Sequence, residues 1–171
     1  MAFYDHELPG GAPNLAIHLL VQAYMANLDV RRVLVDTRAS CDIMYTELFK
    51  TLQLTEKNLS PYVRSELYGF SGSSTKLWGY VEMLVTFGQG EAKKTIKITF
   101  IVIDYSSLYN CIVWRTGIEQ LGAACSTAHL RLKYHAKNNN VATLHGDIEV
   151  ARRCFLQANK SQNSVFPAKQ S

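Results

Sequence analysis

Apolar and polar residues alternate over much of the chain, which is the pattern of half-buried β-strands. Two early segments, 15–25 and 30–35, are rich in aliphatic and β-branched residues and are separated by a turn at 27–29. This arrangement predicts a pair of strands. The second strand ends directly before Asp36, so we expect this carboxylate at a strand end.

A longer antiparallel pair is predicted in the middle of the chain. Apolar residues occupy every second position in 81–87 and again in 96–102, with glycines in the turn between them. Shorter strands are expected at 109–113, 129–134 and 141–144. In 129–134 the charged residues Arg131 and Lys133 alternate with apolar ones, which suits a strand buried on one face. A meander of this kind is typical of a barrel-like β fold.

Helical spacing is found in three places. After Asp36 the apolar residues recur at intervals of three and four, which predicts a short helix that covers the sheet. These residues are Ile43, Met44, Leu48, Phe49 and Leu52. A helical turn is expected at 117–121, and Asp147 is a suitable N-cap for a helix through Asn159.

Segment 66–79 has the composition of a mobile hairpin. It places three glycines and several serines between two apolar arms. A hairpin of this kind is a candidate for a functional moving part.

Length and composition indicate one domain with modest tails, since 171 residues of which 47% are apolar can bury a sizeable core. No apolar run reaches roughly eighteen residues, so we expect an intracellular, cytoplasmic chain without a membrane span. The cysteines are Cys41, Cys111, Cys125 and Cys154. They include no CxxC pair, which favours reduced thiols over a zinc knuckle. A net charge of +4, spread along the chain, does not favour nucleic acid.

Asp36 and Thr37 are candidates for aspartic proteolysis. That reaction needs two carboxylates that share one proton, because one must be ionised to activate water while the other donates a hydrogen bond to the scissile carbonyl. Close approach of the two raises the pKa of one carboxyl strongly. An isolated Asp-Thr pair is more often a cap or a turn, so its surroundings decide the interpretation.

The surroundings of Asp36 resemble the active-site loop of the retropepsin-like aspartic proteases. That loop reads apolar, apolar, Asp, Thr, Gly, Ala or Ser, Ser, and segment 33–40 (Val-Leu-Val-Asp-Thr-Arg-Ala-Ser) departs from it only at Arg38. Further matches follow in the family's order. They are 67–72 with Gly79 (the flap), 85–88 and 100–104 (the strands behind it), 109–115 (an apolar pair before Gly-Arg), and 126–134 and 146–155 (downstream segments of plant elements). The chain is therefore similar, over roughly 15–156, to the protease domain of a plant gypsy-class LTR retrotransposon Gag-Pol polyprotein.

This resemblance implies a mostly β, closed retropepsin-like (acid protease) barrel with a flap hairpin and short helices. It also implies a homodimer that cleaves peptide bonds of its own polyprotein without a cofactor or metal, each protomer giving one aspartate and one flap. The single Asp-Thr copy fits that requirement. The chain would divide into an N-terminal extension (1–14), the protease domain (15–135), a C-terminal strand and helix (136–160) and a disordered tail (161–171).

The site residues that the resemblance implies fall into four groups. Asp36 and Thr37 are catalytic, and Arg38, Ala39 and Ser40 complete the active-site loop. The flap that covers the substrate comprises Tyr68, Gly69, Phe70, Ser71, Gly72 and Gly79. The floor of the site comprises Ile112, Val113, Trp114 and Arg115.

Two of these residues depart from the family. Arg38 replaces a glycine that leaves room for the carboxylate pair, and Trp114 replaces a glycine beside Arg115. Two guanidinium groups near the cleft would hold both aspartates ionised, and the indole must fit against the floor or displace it. Alternatively, the loop swings outward and Arg38 is solvated. We expect activity to be lost or very low.

Three hypotheses remain: a working homodimeric protease, an inactive protease fold that dimerises or binds peptide, and a β-barrel that binds nucleic acid. The third would use Tyr68, Phe70, Trp78 and Tyr80 as a stacking platform and would need a basic face beside them. The histidines at 129, 135 and 145 match no standard spacing of metal ligands. Asp42, Glu47 and Asp104 are interpreted as structural acids.

Overall fold

The computed structural model describes residues 1–61 and 76–163, the last three by their backbone. Within these ranges nine β-strands and three α-helices are found. The strands are β1 (Leu20–Met25), β2 (Leu28–Val35), β3 (Ile43–Tyr45), β4 (Lys76–Phe87), β5 (Lys94–Asp104), β6 (Cys111–Val113), β7 (Ala123–Ser126), β8 (Arg131–His135) and β9 (Val141–His145). The helices are α1 (Thr46–Thr51), α2 (Arg115–Leu121) and α3 (Ile148–Asn163). None of the helices in the described part of the chain is long and apolar enough to cross a membrane.

Six strands close into a barrel in the order β1-β2-β6-β3-β5-β4, and β7, β8 and β9 form a separate three-stranded sheet. The predicted mostly β, closed barrel with short helices is confirmed. The predicted long hairpin is confirmed as well, since β4 and β5 pair along their whole length. Its strands are amphipathic and its turn is rich in glycine, so both the pairing and the register are encoded locally.

Strand β6 lies between β2 and β3 although it follows both by more than sixty positions in the sequence. It runs parallel to β2, with Leu34 opposite Ile112, and antiparallel to β3, with Ile43 opposite the same Ile112. The chain must therefore leave β2, loop outward and return on the far side of β6. Asp36 lies in that loop.

Alternating side chains of β2 and β6 face opposite sides of the sheet. Val33, Val35, Cys111 and Val113 belong to the barrel core, the main cluster of buried apolar residues. Fully burying an aliphatic side chain of this size is worth about 1.5–3 kcal/mol, so this core holds the loop ends firmly. The intervening residue Leu34 packs on the outside of the barrel.

The predicted helix after Asp36 begins later than expected. Ile43 and Met44 form β3, and α1 begins only at Thr46. The helical spacing was misleading here because β3 completes the barrel between β5 and β6. A tertiary pairing outweighs a weak local preference. The first strand also begins later, at Leu20, because the side-chain oxygen of Asn14 accepts the backbone N–H groups of Ala16 and Ile17.

Strand β8 was expected to be buried on one face, but Lys133 on its polar face is only 6% exposed. The N-terminal residues cover it. Its ammonium donates to both carboxylate oxygens of Glu7, at 2.7 and 2.9 Å, and lies 5.1 Å from the centre of the Phe3 ring. Arg131 also pairs with Glu7, at 3.2 Å. A buried lysine needs such partners, because burial without them disfavours its charged form.

The C-terminal helix was predicted correctly at its start. The Asp147 carboxylate accepts the backbone N–H of Val150 at 3.1 Å, as an N-cap should. The helix continues to Asn163, past the predicted end at Asn159. The predicted domain boundary at residue 135 falls between β8 and β9. These two strands pair antiparallel, with Arg131 opposite His145.

Candidate active site

Asp36 lies directly after β2, in the loop that passes around β6. Its backbone N–H donates to the carbonyl oxygen of Val113 at 3.1 Å, which continues the pairing of β2 with β6 by one residue. Its side chain is half-buried, and Oδ1 accepts the backbone N–H of Arg38 at 2.9 Å. Aspartate forms this type of turn readily because its short carboxylate reaches the N–H two residues ahead. The loop therefore presents one carboxylate at the end of a rigid strand.

The rest of the predicted active-site loop is open to solvent in the single chain. Thr37, Arg38 and Ser40 are exposed, and Ala39 is half-buried with its N–H 3.4 Å from the carbonyl oxygen of Asp36. Within residues 1–61 and 76–163 the Arg38 guanidinium forms no ion pair.

The four predicted floor residues lie beside the loop. Ile112 and Val113 are in β6, and Trp114 and Arg115 begin α2. Trp114 is half-buried in an extended conformation (φ −94°, ψ 177°) that any residue adopts, and the Arg115 guanidinium lies 5.3 Å from the centre of its ring. Strand β6, directly before Trp114, keeps its pairing on both sides.

Asp42 is a site residue that sequence reasoning interpreted as merely structural. It is 8% exposed, and its Oδ1 accepts the backbone N–H of Trp114 at 2.6 Å. Its carbonyl oxygen accepts the N–H of Ile101 at 2.9 Å. Burial raises the pKa of its carboxyl, while the bond from Trp114 acts in the opposite direction. Asp42 thus joins the end of the Asp36 loop to the floor and to β5. A carboxylate directly before the apolar pair Ile43-Met44 was the available signal.

An apolar wall flanks the Asp36 loop. Ile43, Ile101 and Ile103 form a buried group on the outside of the barrel, here called the isoleucine cluster. Ile112 packs against this cluster and also against the cluster that contains Leu34. Because side chains alternate along a strand, Leu34 points to the same side of the sheet as Asp36. One continuous apolar surface therefore extends from the isoleucine cluster, across Ile112, to Leu34.

The predicted flap falls mostly outside the described residues. The flap residues that lie outside the described ranges are Tyr68, Gly69, Phe70, Ser71 and Gly72. Gly79 is described and lies in β4. Gly79 has φ +140°, and a Cβ there would lie 2.5 Å from the carbonyl oxygen of Ser60. Ser60 and Tyr80 exchange two backbone hydrogen bonds, at 2.8 and 2.9 Å. The chain is therefore paired antiparallel at Ser60 and Tyr80, and glycine is required at position 79, where the backbone approaches Ser60 most closely.

The remaining candidates are placed elsewhere. Trp78 stacks edge-on against Phe49 at 5.7 Å, so it belongs to the packing between β4 and α1. His135 and His145 lie at opposite ends of the β8–β9 ladder, and His129 Nδ1 is 2.7 Å from Ser126 Oγ. Glu47 is exposed on α1, and Asp104 accepts a hydrogen bond from the Thr46 hydroxyl at 3.1 Å.

Comparison with solved structures gives this arrangement a context. The chain superposes on the retroviral protease-like domain of Ddi1 from Leishmania major with a TM-score of 0.57 and 18% identity, covering 78% of this chain and 99% of that one. It also matches a retropepsin-like aspartic protease from Rickettsia conorii (TM-score 0.48, 18% identity, 78% and 86% covered). A third match is the EIAV protease complexed with the inhibitor HBY-793 (TM-score 0.45, 19% identity, 66% and 96% covered).

No protein-family profile and no curated protein sequence matches the chain. The identities are low, so the likeness is one of fold: the chain has a retropepsin-like fold, as the closed six-stranded barrel and the superposition on the first structure establish.

Proposed function

We propose that this chain is the retropepsin-like aspartic endopeptidase domain of a plant gypsy-class retrotransposon polyprotein, that it acts as a homodimer on peptide bonds of that polyprotein, and that its activity is lost or very low. The observation that carries the proposal is the position of Asp36, half-buried at the end of β2 and bonded to Val113 of β6, in a chain with a retropepsin-like fold. The retrotransposon origin rests on the sequence resemblance over roughly 15–156.

A second copy is required because one carboxylate cannot both activate water and donate a proton to the scissile carbonyl. The next acid along the loop, Asp42, is buried and engaged by the Trp114 N–H, so it is not available to Asp36 as a partner. A two-fold axis beside the loop would bring Asp36 of two copies together and supply the pair. The exposure of Thr37 and Ser40 leaves this part of the loop free for such a contact.

Arg38 would impair the pair once two copies meet. It is two residues from Asp36, and its backbone N–H already donates to the carboxylate. Two guanidinium groups beside the carboxylate pair would favour its charged form. The shared proton on which the reaction depends would then be lost. Trp114, half-buried on the floor, adds bulk where the family has glycine.

The second candidate is an inactive protease fold that dimerises or binds peptide. The intact junction between Asp42 and Trp114 supports it, because the floor keeps its hydrogen bonds despite the two replaced glycines. For the nucleic-acid alternative, Trp78 would have to serve as a stacking residue while its ring is packed edge-on against Phe49.

The test is hydrolysis of a quenched peptide library between about pH 4 and 7, with self-association followed by sedimentation. The variants are Asp36→Asn, Arg38→Gly, and Arg38→Gly combined with Trp114→Gly. The matched control is Asp29→Asn, which neutralises an exposed aspartate paired with Arg31 at 3.7 Å.

We expect turnover only when glycine is restored, and we expect Asp36→Asn but not Asp29→Asn to abolish it. Turnover by the unmodified chain that disappears with Asp36→Asn would overturn the loss of activity. Self-association without turnover in every variant would favour the inactive fold. Absence of both would refute the proposal as a whole.

A further inference from the structure

We infer that helix α3 is an autoinhibitory cap, which covers the apolar surface beside Asp36 and prevents an extended peptide from lying along it. The inference rests on the proposed function, because it takes Asp36 as the point at which a peptide would bind. It concerns the unmodified chain and is separate from the effects of Arg38 and Trp114.

The covered surface is on the same side of the sheet as Asp36. Val33 and Val35 point into the barrel core, so Leu34 and Asp36 point to the other side of β2. Ile112, opposite Leu34 on β6, extends this side laterally. Leu34 is nevertheless only 6% exposed. Something outside the barrel must cover it.

That cover is α3. Leu20 and Leu34 of the barrel form one buried cluster with Ala151 and Cys154 of the helix, and Ile112 packs at its margin. Ala151 and Cys154 are three residues apart, so they lie on one face of the helix. The helix thus presents Ala151, Cys154 and the half-buried Val150 to the surface beside Asp36.

The beginning of α3 is anchored to the barrel. The Asp147 N–H donates to the Leu20 carbonyl oxygen at 2.8 Å, and the Gly146 N–H donates to the Leu130 carbonyl oxygen at 2.7 Å. A Cβ at Gly146 would lie 3.0 Å from that oxygen. These bonds hold the start of the helix in place.

A peptide at Asp36 needs the space that α3 occupies. An extended chain advances about 3.3 Å per residue, so Leu34 lies about 7 Å along the strand from Asp36. A peptide that runs along β2 with one bond at Asp36 would therefore place a neighbouring side chain over Leu34 and Ile112, where Ala151 and Cys154 join the same cluster. Helix and peptide cannot occupy this surface together.

The cap is built to be displaced. Among residues 148–160 of the helix, Ala151 and Cys154 are the two that are buried, and both are small. The outer face is open, with Leu156 58% exposed. Segments with few buried apolar contacts open at a lower free-energy cost than the whole fold. Displacement of α3 by a peptide, or its release by a modification of the helix, would then uncover the site.

The experiment uses the full chain and two variants that add one negative charge to the same helix. Ala151→Glu places the charge on the buried face, and the control Leu156→Glu places it on the exposed face. Release of α3 is followed by amide hydrogen exchange over 148–160. The probe is a fluorescein-labelled octapeptide with apolar side chains and a hydroxyethylene group in place of one peptide bond, and its binding is measured by anisotropy.

For Ala151→Glu we expect faster amide exchange in α3 and probe binding that is at least about tenfold tighter. If the state with α3 displaced makes up about a tenth or less of the unmodified protein, the apparent affinity for the probe is reduced by that fraction. Leu156→Glu should change neither. Faster exchange with unchanged binding would overturn the cap. The double variant Ala151→Glu with Asp36→Asn separates the cap from the proposed function. If Ala151→Glu tightens probe binding and Asp36→Asn does not change it, the proposed function is contradicted while the cap is supported.

A second measurement needs no substitution and decides the question if Ala151→Glu fails to fold. Cys154 is buried on the inner face of α3, whereas Cys111 is buried inside the barrel. Saturating probe should accelerate alkylation of Cys154 about tenfold, because the probe displaces the helix, and should leave Cys111 unchanged. Unchanged or slower labelling of Cys154 would refute the inference.

Discussion

Replacing Asp42 should reveal how much the candidate site depends on one buried carboxylate. Asp42→Ala removes the acceptor of the Trp114 N–H, which is bonded at 2.6 Å and has no other acceptor in the described part of the chain. Asp42→Asn keeps an oxygen in the same place and removes only the charge. The pair of variants therefore separates the hydrogen bond from the ionisation.

The magnitude follows from burial. Leaving a buried N–H without a partner costs about 1–3 kcal/mol, and Asp42 is only 8% exposed. We expect Asp42→Ala to lower the free energy of unfolding by that amount at pH 7. In a domain of this size each kcal/mol changes the Tm by about 2–4 °C. Asp42→Asn should cost less than about 1 kcal/mol, because a neutral amide still accepts the bond.

The two variants also differ in their pH dependence. Burial raises the pKa of the Asp42 carboxyl in the folded protein above its value in the unfolded chain. Its contribution to stability is then fully present below the unfolded pKa, about 4, and declines as the pH rises through the folded pKa. Asparagine cannot ionise. Relative to the unmodified protein, Asp42→Asn should therefore gain stability as the pH is raised from about 4 to 7.

The assay is urea unfolding followed by circular dichroism at several pH values, because Trp114 lies beside the substitution and its fluorescence would change for local reasons. Equal destabilisation by Asp42→Ala and Asp42→Asn would show that an uncharged oxygen at position 42 does not preserve the hydrogen bond from the Trp114 N–H. No destabilisation by Asp42→Ala would refute the role of Asp42 altogether.

Three further predictions concern stability. Glu7→Gln should destabilise the fold by weakening the partner of buried Lys133. Because the pKa of Glu7 is lowered to about 2, chiefly by its hydrogen bond from Lys133, the contribution of Glu7 to stability is present above about pH 4.5 and is lost as the pH falls toward 2. If urea unfolding shows that Glu7→Gln loses as much stability at pH 2 as at pH 7, this reasoning is contradicted. Gly79→Ala should cost about 1–3 kcal/mol in backbone strain, with a lower Tm, since the new Cβ would meet the Ser60 carbonyl oxygen at 2.5 Å; an unchanged Tm would refute the close approach. Asp147→Ala should cost about 0.5–2 kcal/mol by removing the N-cap, seen as faster amide exchange at the start of α3, and equal exchange rates would argue against the cap.

The strands whose partners are neighbours in the sequence could be predicted from the residue pattern. The β4–β5 hairpin is the clearest example, because alternation defines its two faces and the glycine turn defines its register. The position of Asp36 at the end of β2 was predictable for the same reason. The start of α1 was not, since Ile43 and Met44 fit a helix or a strand equally well until β5 and β6 are placed beside them.

What the sequence by itself determined is the set of amphipathic segments, the turn chemistry and the presence of one Asp-Thr loop with arginine in place of glycine. Only the tertiary structure decided that Asp42 bonds to Trp114, that Lys133 is buried against Glu7, and that α3 covers Leu34. The physical reason is distance along the chain. Backbone preference and amphipathicity act between near neighbours, whereas burial and polar pairing depend on which remote segments meet, and these two polar pairs join residues 72 and 126 positions apart.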